Sequence, residues 1–170
     1  MGKEQRFAAL AEAVTPDLYR YALWLTRDPT VSQDLVQEAL LRGWKALDSL
    51  RDEGSAKRWL ITILRRENAR RFERIRPEEV DIDALGDSDH HLARHDEAPE
   101  IGDVRQAIDQ LESEYREPLV MQVLMGFSTK EIAEVMDLTQ GAVLTRLFRA
   151  RKQLRVLLES DGVDAWTEMA

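Results

Sequence analysis

Between Phe127 and Leu158 the apolar positions fall into two helical registers separated by a tight break. Ile132, Ala133, Val135 and Met136 form the inward side of the first, and Val143, Leu147, Ala150, Leu154 and Leu158 recur at three and four residues in the second. Ser128 and Glu131 have the spacing of a capping box, which predicts a helix start at Thr129. Asp137 and Leu138 interrupt the pattern, and Thr139 offers an N-cap hydroxyl to the second helix. Opposite the second stripe the chain is basic: Arg146, Arg149, Arg151, Lys152 and Arg155 occur with no acid between Asp137 and Glu159. Two helices across a short turn, with arginines placed to reach phosphates and guanine edges, predict a helix-turn-helix that binds DNA. A helical hairpin with a solvated basic face fits the same pattern.

The same periodicity predicts four helices in the N-terminal part. The first covers Glu4 to Val14. Thr15 and Pro16 then supply an N-cap and a first-turn proline for a second helix, Asp17 to Thr26, which ends at Asp28-Pro29. A third runs from Val31 to Leu50 with Leu35, Ala39, Leu40, Leu47 and Leu50 as core, and Arg51 to Ser55 is a polar turn. The fourth, Ala56 to Arg74, carries Trp59, Leu60, Ile63, Leu64 and Phe72 beside a dense strip of lysine and arginine. Periodicity is lost from Ile75 to Ile101, where Pro77, Gly86, Pro99 and many carboxylates predict a flexible linker. It returns at Val104 with Ile108 and Leu111, followed by a helix from Tyr115 to Met125 whose start Pro118 is expected to push past Ser113. The fold class is therefore all-α. Two small helical domains, 1–74 and 104–158, are joined by an acidic linker, 75–103, and followed by an acidic tail, 159–170, expected to fray.

Charge changes the picture only when it is localised. The net charge of −8 argues against nucleic acid, yet residues 74–103 hold −7 and the last twelve −4, leaving +2 on residues 1–73 and +1 on 104–158. Two near-neutral blocks with local basic faces remain, and such a chain should bind free DNA poorly by itself. Without cysteine there is neither a disulfide nor a thiolate metal site. His90, His91 and His95 lie in the acidic linker without further ligands at fixed spacing and read as solvated polar residues. No stretch is apolar enough for a membrane span, and Glu4 and Glu12 sit where a signal peptide would be apolar, so a soluble, unexported, cytoplasmic protein is expected. No glycine-rich phosphate loop and no nucleophile paired with histidine points to an enzyme or a cofactor.

Three stretches in order carry a family resemblance. The segment LESEYREPLVMQVLMGFSTKEIAEVMDLTQGAVLTRLFRARKQL is similar to region four of the bacterial sigma-seventy family. QDLVQEALLRGWKAL resembles its region 2.2, usually D-A-E-D-L-x-Q-E-x-F-x-x-x-W, and WLITILRREN resembles regions 2.3 and 2.4. The order and the acidic linker between them resemble the extracytoplasmic-function (ECF) class. The resemblance implies a factor that binds core RNA polymerase, directs it to promoters and assists opening. Asp34, Leu35, Gln37, Glu38, Leu41 and Trp44 would dock on the β′ clamp helices, with Leu35 and Trp44 alternatively core residues. The turn Arg51 to Lys57 and the helix after it would engage the minus-ten element, through Ser55, Lys57, Trp59, Arg65, Arg66, Asn68, Arg70 and Arg71; Trp59 fits the core equally well. Gln140, Thr145, Arg146, Phe148 and Arg149 would meet the minus-thirty-five element, with Phe148 off the apolar stripe and either exposed toward DNA or packed on a neighbouring helix. The β flap is a further implied contact, the linker would thread near the RNA exit channel, and an anti-sigma factor is an implied partner. Val31, Ser32 and Gln33 depart from D-A-E, and Leu144 from an often basic recognition position. A helix-turn-helix regulator that replaces no polymerase subunit is the alternative.

Overall fold

The computed structural model describes residues 1–75 and 99–160, with side chains throughout except at 99–101. The chain divides into two compact units, Met1–Leu92 and Ala93–Ala170. The linker histidines, Pro77 and Gly86, and Trp166 and Met169 of the tail, lie outside the described residues. Among the described residues there are only helices and turns, and no helix is long and apolar enough to cross a membrane.

The first unit packs α1 (Lys3–Thr26), α2 (Pro29–Ala46) and α3 (Ala56–Ile75) against one another. The two helices expected on either side of Thr15-Pro16 are one rod. Thr15 does not cap: its hydroxyl donates back to the Ala11 carbonyl at 2.6 Å, within an uninterrupted helix. Pro16 removes one backbone donor, a penalty of about 3 kcal/mol in a helix interior. Val14, Leu18, Tyr21 and Ala22 are buried on both sides of it, and fully burying one large apolar side chain contributes about 1.5 to 3 kcal/mol. The stripe outweighs the break.

Helix α1 ends where Arg27 takes a left-handed conformation (φ 54°). Asp28 then caps α2, its side chain accepting from the amides of Thr30 and Val31 at 2.9 and 3.1 Å with Pro29 in the first turn. The helix thus begins two residues before Val31 and stops at Ala46, giving way to short 3₁₀ turns at Leu47–Ser49 and Glu53–Ser55. Leu35, Ala39, Leu47 and Leu50 are core as expected, while Leu40 is half-buried. Gly43 sits at a close approach: a Cβ there would stand 2.7 Å from Leu60 Cδ2 of α3, and the buried Leu60 side chain would have to shift.

The second unit contains α4 (Pro99–Gln110), α5 (Ser113–Val123), α6 (Thr129–Met136) and α7 (Gln140–Ser160). Helix α4 begins at Pro99, ahead of the Val104 expected from periodicity. Helix α5 begins at Ser113 and not after it; Pro118 is accommodated inside and is almost fully buried. Met121, Ile132, Val143 and Leu147 are buried, and α5, α6 and α7 pack on one another.

Candidate nucleic-acid interface

The helix-turn-helix forms as its caps dictate. Ser128 Oγ accepts from the Glu131 amide at 3.2 Å while the Glu131 carboxylate accepts from the Ser128 amide at 2.8 Å. Asp137 closes α6 in the left-handed region (φ 54°), and the Leu138 amide reaches the Ala133 carbonyl at 2.9 Å. Thr139 Oγ1 accepts from the Ala142 amide at 3.1 Å and starts α7.

Val143, Leu147 and Ala150 are the buried stripe of α7, which leaves Thr145, Phe148 and Arg149 on the outward side. Phe148 is 68% exposed, so of its two readings the outward one holds and it does not pack on a neighbouring helix. Gln140 opens the helix and is exposed; Arg146 lies on a flank, half-buried. Thr145 Oγ1 donates to the Gly141 carbonyl at 3.0 Å, so its methyl and not its hydroxyl hydrogen is offered outward. Leu144 is 57% exposed and presents an apolar side chain where a basic residue was expected from the family pattern. Among the described residues no α7 cation is in an ion pair. Arg151 is hydrogen-bonded to the Gln122 side chain of α5 and ties the helix down, whereas Lys152 and Arg155 are exposed. Lys152 shares the outward side with Thr145 and Arg149, a position that their three- and four-residue spacing could have identified.

The cations of α3 are arranged differently. Lys57 Nζ is 2.9 Å from Asp17 Oδ2 of α1, and Arg70 Nη1 is 2.6 Å from Glu67 Oε1. Arg66 is exposed and Arg71 half-buried, and neither has an ion-pair partner among the described residues. Asn68 corrects an expectation: it is 9% exposed, with Oδ1 buried and unpartnered, because it turns to the same side as Leu60, Leu64 and Glu67. Trp59 is half-buried against Leu47, Leu50 and Ala56. The exposed aromatic of this helix is instead Phe72, at 58%, seven residues beyond half-buried Arg65 on one flank. Ser55 is half-buried and donates its hydroxyl to the Asp52 carbonyl at 2.7 Å.

On α2, Asp34, Gln37 and Leu41 share the outward side, Leu41 being 55% exposed. Glu38 is half-buried and 3.0 Å from Arg42 Nε. Leu35 is 4% exposed and belongs to the core, which removes it from any docking surface. Trp44 is half-buried: the Phe7 ring meets it edge-on with centroids 5.5 Å apart, and Lys3 Nζ lies 5.4 Å from its centre. Among the departures, Ser32 is fully buried, its hydroxyl 2.7 Å from the Asp28 carbonyl and 2.8 Å from Thr26 Oγ1. Val31 is half-buried and Gln33 exposed, so the missing carboxylates are replaced by one partly apolar and one neutral surface. No group of histidine and carboxylate side chains suited to a metal occurs among the described residues.

Residues 10–77 match Sigma-70 region 2 and residues 101–154 match Sigma-70, region 4. The chain is 34% identical over 158 residues to the ECF RNA polymerase sigma factor SigL of Mycobacterium tuberculosis, covering 86% of this chain and 85% of that protein. It is 32% identical over 156 residues to the ECF RNA polymerase sigma factor EcfG of Rhodopseudomonas palustris, covering 89% and 84%. The sigma factor RpoE of Bartonella quintana, solved with the anti-sigma factor NepR, is similar with a TM-score of 0.69 and 26% identity over 93% of this chain and 97% of that one. CnrH, solved with the cytosolic domain of CnrY, gives 0.67 and 26% over 93% and 90%. The chain belongs to the ECF RNA polymerase sigma factors, which direct polymerase to promoters.

Proposed function

We propose that the two units divide promoter recognition between them. Unit two lays α7 in the major groove of the minus-thirty-five element. There Gln140, Thr145, Arg149 and Phe148 face bases and sugars, Arg146, Lys152 and Arg155 face phosphates, and the other side of the unit meets the β flap. The observation that carries this is the cationic side of α7, where Arg149, Lys152 and Arg155 are exposed and in no ion pair among the described residues, as a surface that meets phosphates requires.

In unit one, the turn Arg51 to Lys57 and α3 engage the minus-ten strand. Arg66 and Arg71 are cations without an ion pair among the described residues that can meet phosphates, and Phe72 offers a face on which an unstacked base can lie. The Asp34, Gln37 and Leu41 side of α2 docks on the β′ clamp helices, an apolar centre with a polar rim. An anti-sigma factor that covers these surfaces is a natural partner, since RpoE was solved with one. The protein works stoichiometrically in the cytoplasm and performs no covalent catalysis of its own. A photo-cross-linker at position 148 in reconstituted holoenzyme should label minus-thirty-five DNA, and one at position 37 should label β′; labelling of neither would reject the assignment.

A further inference from the structure

Residues 3–9 of α1 precede the stretch that matches Sigma-70 region 2, yet they hold the turn before α3. Lys3 Nζ is 2.9 Å from Asp48 Oδ2, and Arg6 Nε is 2.6 Å from Glu53 Oε1. Phe7, Leu10 and Trp59 close over a small core of Leu47 and Leu50, which lead into the turn, and Ala56, near its end. Phe7 also meets Trp44 edge-on, and Lys3 lies over the same indole. Within the turn the bonds are local: Asp52 Oδ1 accepts from the Gly54 amide at 3.0 Å, and Ser55 donates to the Asp52 carbonyl at 2.7 Å. Its distant ties run to α1.

We propose that the first two turns of α1 are a strap that fixes the conformation of the Arg51 to Lys57 turn and so sharpens its choice of base at the minus-ten element. This rests on reading that turn as the minus-ten contact. Arg6 and Phe7 are positioning residues that touch no DNA. Exposed ion pairs contribute little singly, but here they flank an apolar contact and act on one short segment. A turn held in one conformer presents one set of donors and acceptors, whereas a turn sampling several accommodates the wrong base as well as the right one.

The test uses full-length chain in reconstituted holoenzyme, transcribing a library of promoters with the minus-ten element randomised. Arg6→Gln combined with Phe7→Leu should reduce the ratio between the preferred and the next base about fivefold, which is about 1 kcal/mol. Affinity for core enzyme and protection of the minus-thirty-five element should be unchanged. Lys3→Asp should also reduce the ratio, and adding Asp48→Lys should restore it. A merely structural role would lower transcription from all promoters alike, leave the ratio intact and overturn the proposal. Should the double variant melt below the assay temperature, Lys3→Asp and its charge swap decide, and an unchanged ratio in Lys3→Asp overturns the strap. Arg51→Ala with Ser55→Ala, made in the turn itself, separates the two claims. If it alters base choice and the strap variants do not, the strap fails alone; if neither does, the reading of the turn fails with it.

Discussion

The carboxylate of Glu67, 5% exposed on α3, lies 2.6 Å from Arg42 Nε on α2. Arg70 meets the same oxygen at 2.6 Å, and Arg42 also holds Glu38 at 3.0 Å, so one buried acid fastens α2 to α3. Arg42→Met should destabilise the first unit by about 2 kcal/mol, less than a fully buried pair because Arg42 is partly exposed and Arg70 remains. Urea unfolding followed by circular dichroism measures it, and an unchanged midpoint would show the pair to be inert.

Because Glu67 engages Arg70, Arg66 and Arg71 are the neighbouring α3 cations without an ion pair among the described residues, and the proposed role in opening falls to them. Arg66→Ala with Arg71→Ala should reduce permanganate reactivity at the start site more than initial duplex binding. Asn68→Ala should instead change thermal stability and leave opening intact, since its side chain is turned inward. Reduced opening in a fully folded Asn68→Ala variant would contradict the placement.

On α7, Arg149→Ala should weaken binding of holoenzyme to a cognate promoter by about 1 to 3 kcal/mol if the side chain reads a base. Lys152→Ala should lower affinity for all promoters alike and reduce the salt dependence by about one counterion. Titrations at several salt concentrations separate the two effects, and interchangeable behaviour of the two variants would reject the division of roles.

Ser128→Ala removes the acceptor for the Glu131 amide and should destabilise the second unit by about 1 kcal/mol. Thermal melting reads this directly; no shift would mean that the box contributes nothing.

The helix-turn-helix was legible because its signals are local: a capping box, an αL break and an apolar repeat all lie within a few residues of what they determine. Pro16 shows where local signals mislead. Thr-Pro reads as a helix start, but burial of Val14 and Leu18 across it is decided by α2 and α3, which no nearby residue reports. Asn68 was placed at a surface by residue type and family pattern, and its inward orientation follows only from how three helices pack, whereas for Leu35 the periodicity already indicated the core and the family pattern alone suggested a docking surface. The pairing of Lys57 with Asp17 and of Arg42 with Glu67 joins residues distant along the chain, which periodicity cannot bring together.

The most direct measurement is run-off transcription by purified core RNA polymerase with the purified chain, on a library of genomic promoter fragments. Initiation at discrete start sites that depends on added chain, and is lost in Arg149→Ala, is the expected result. If the chain neither associates with core enzyme nor elicits a transcript from any fragment, then the assignment of its two units to polymerase and promoter is wrong.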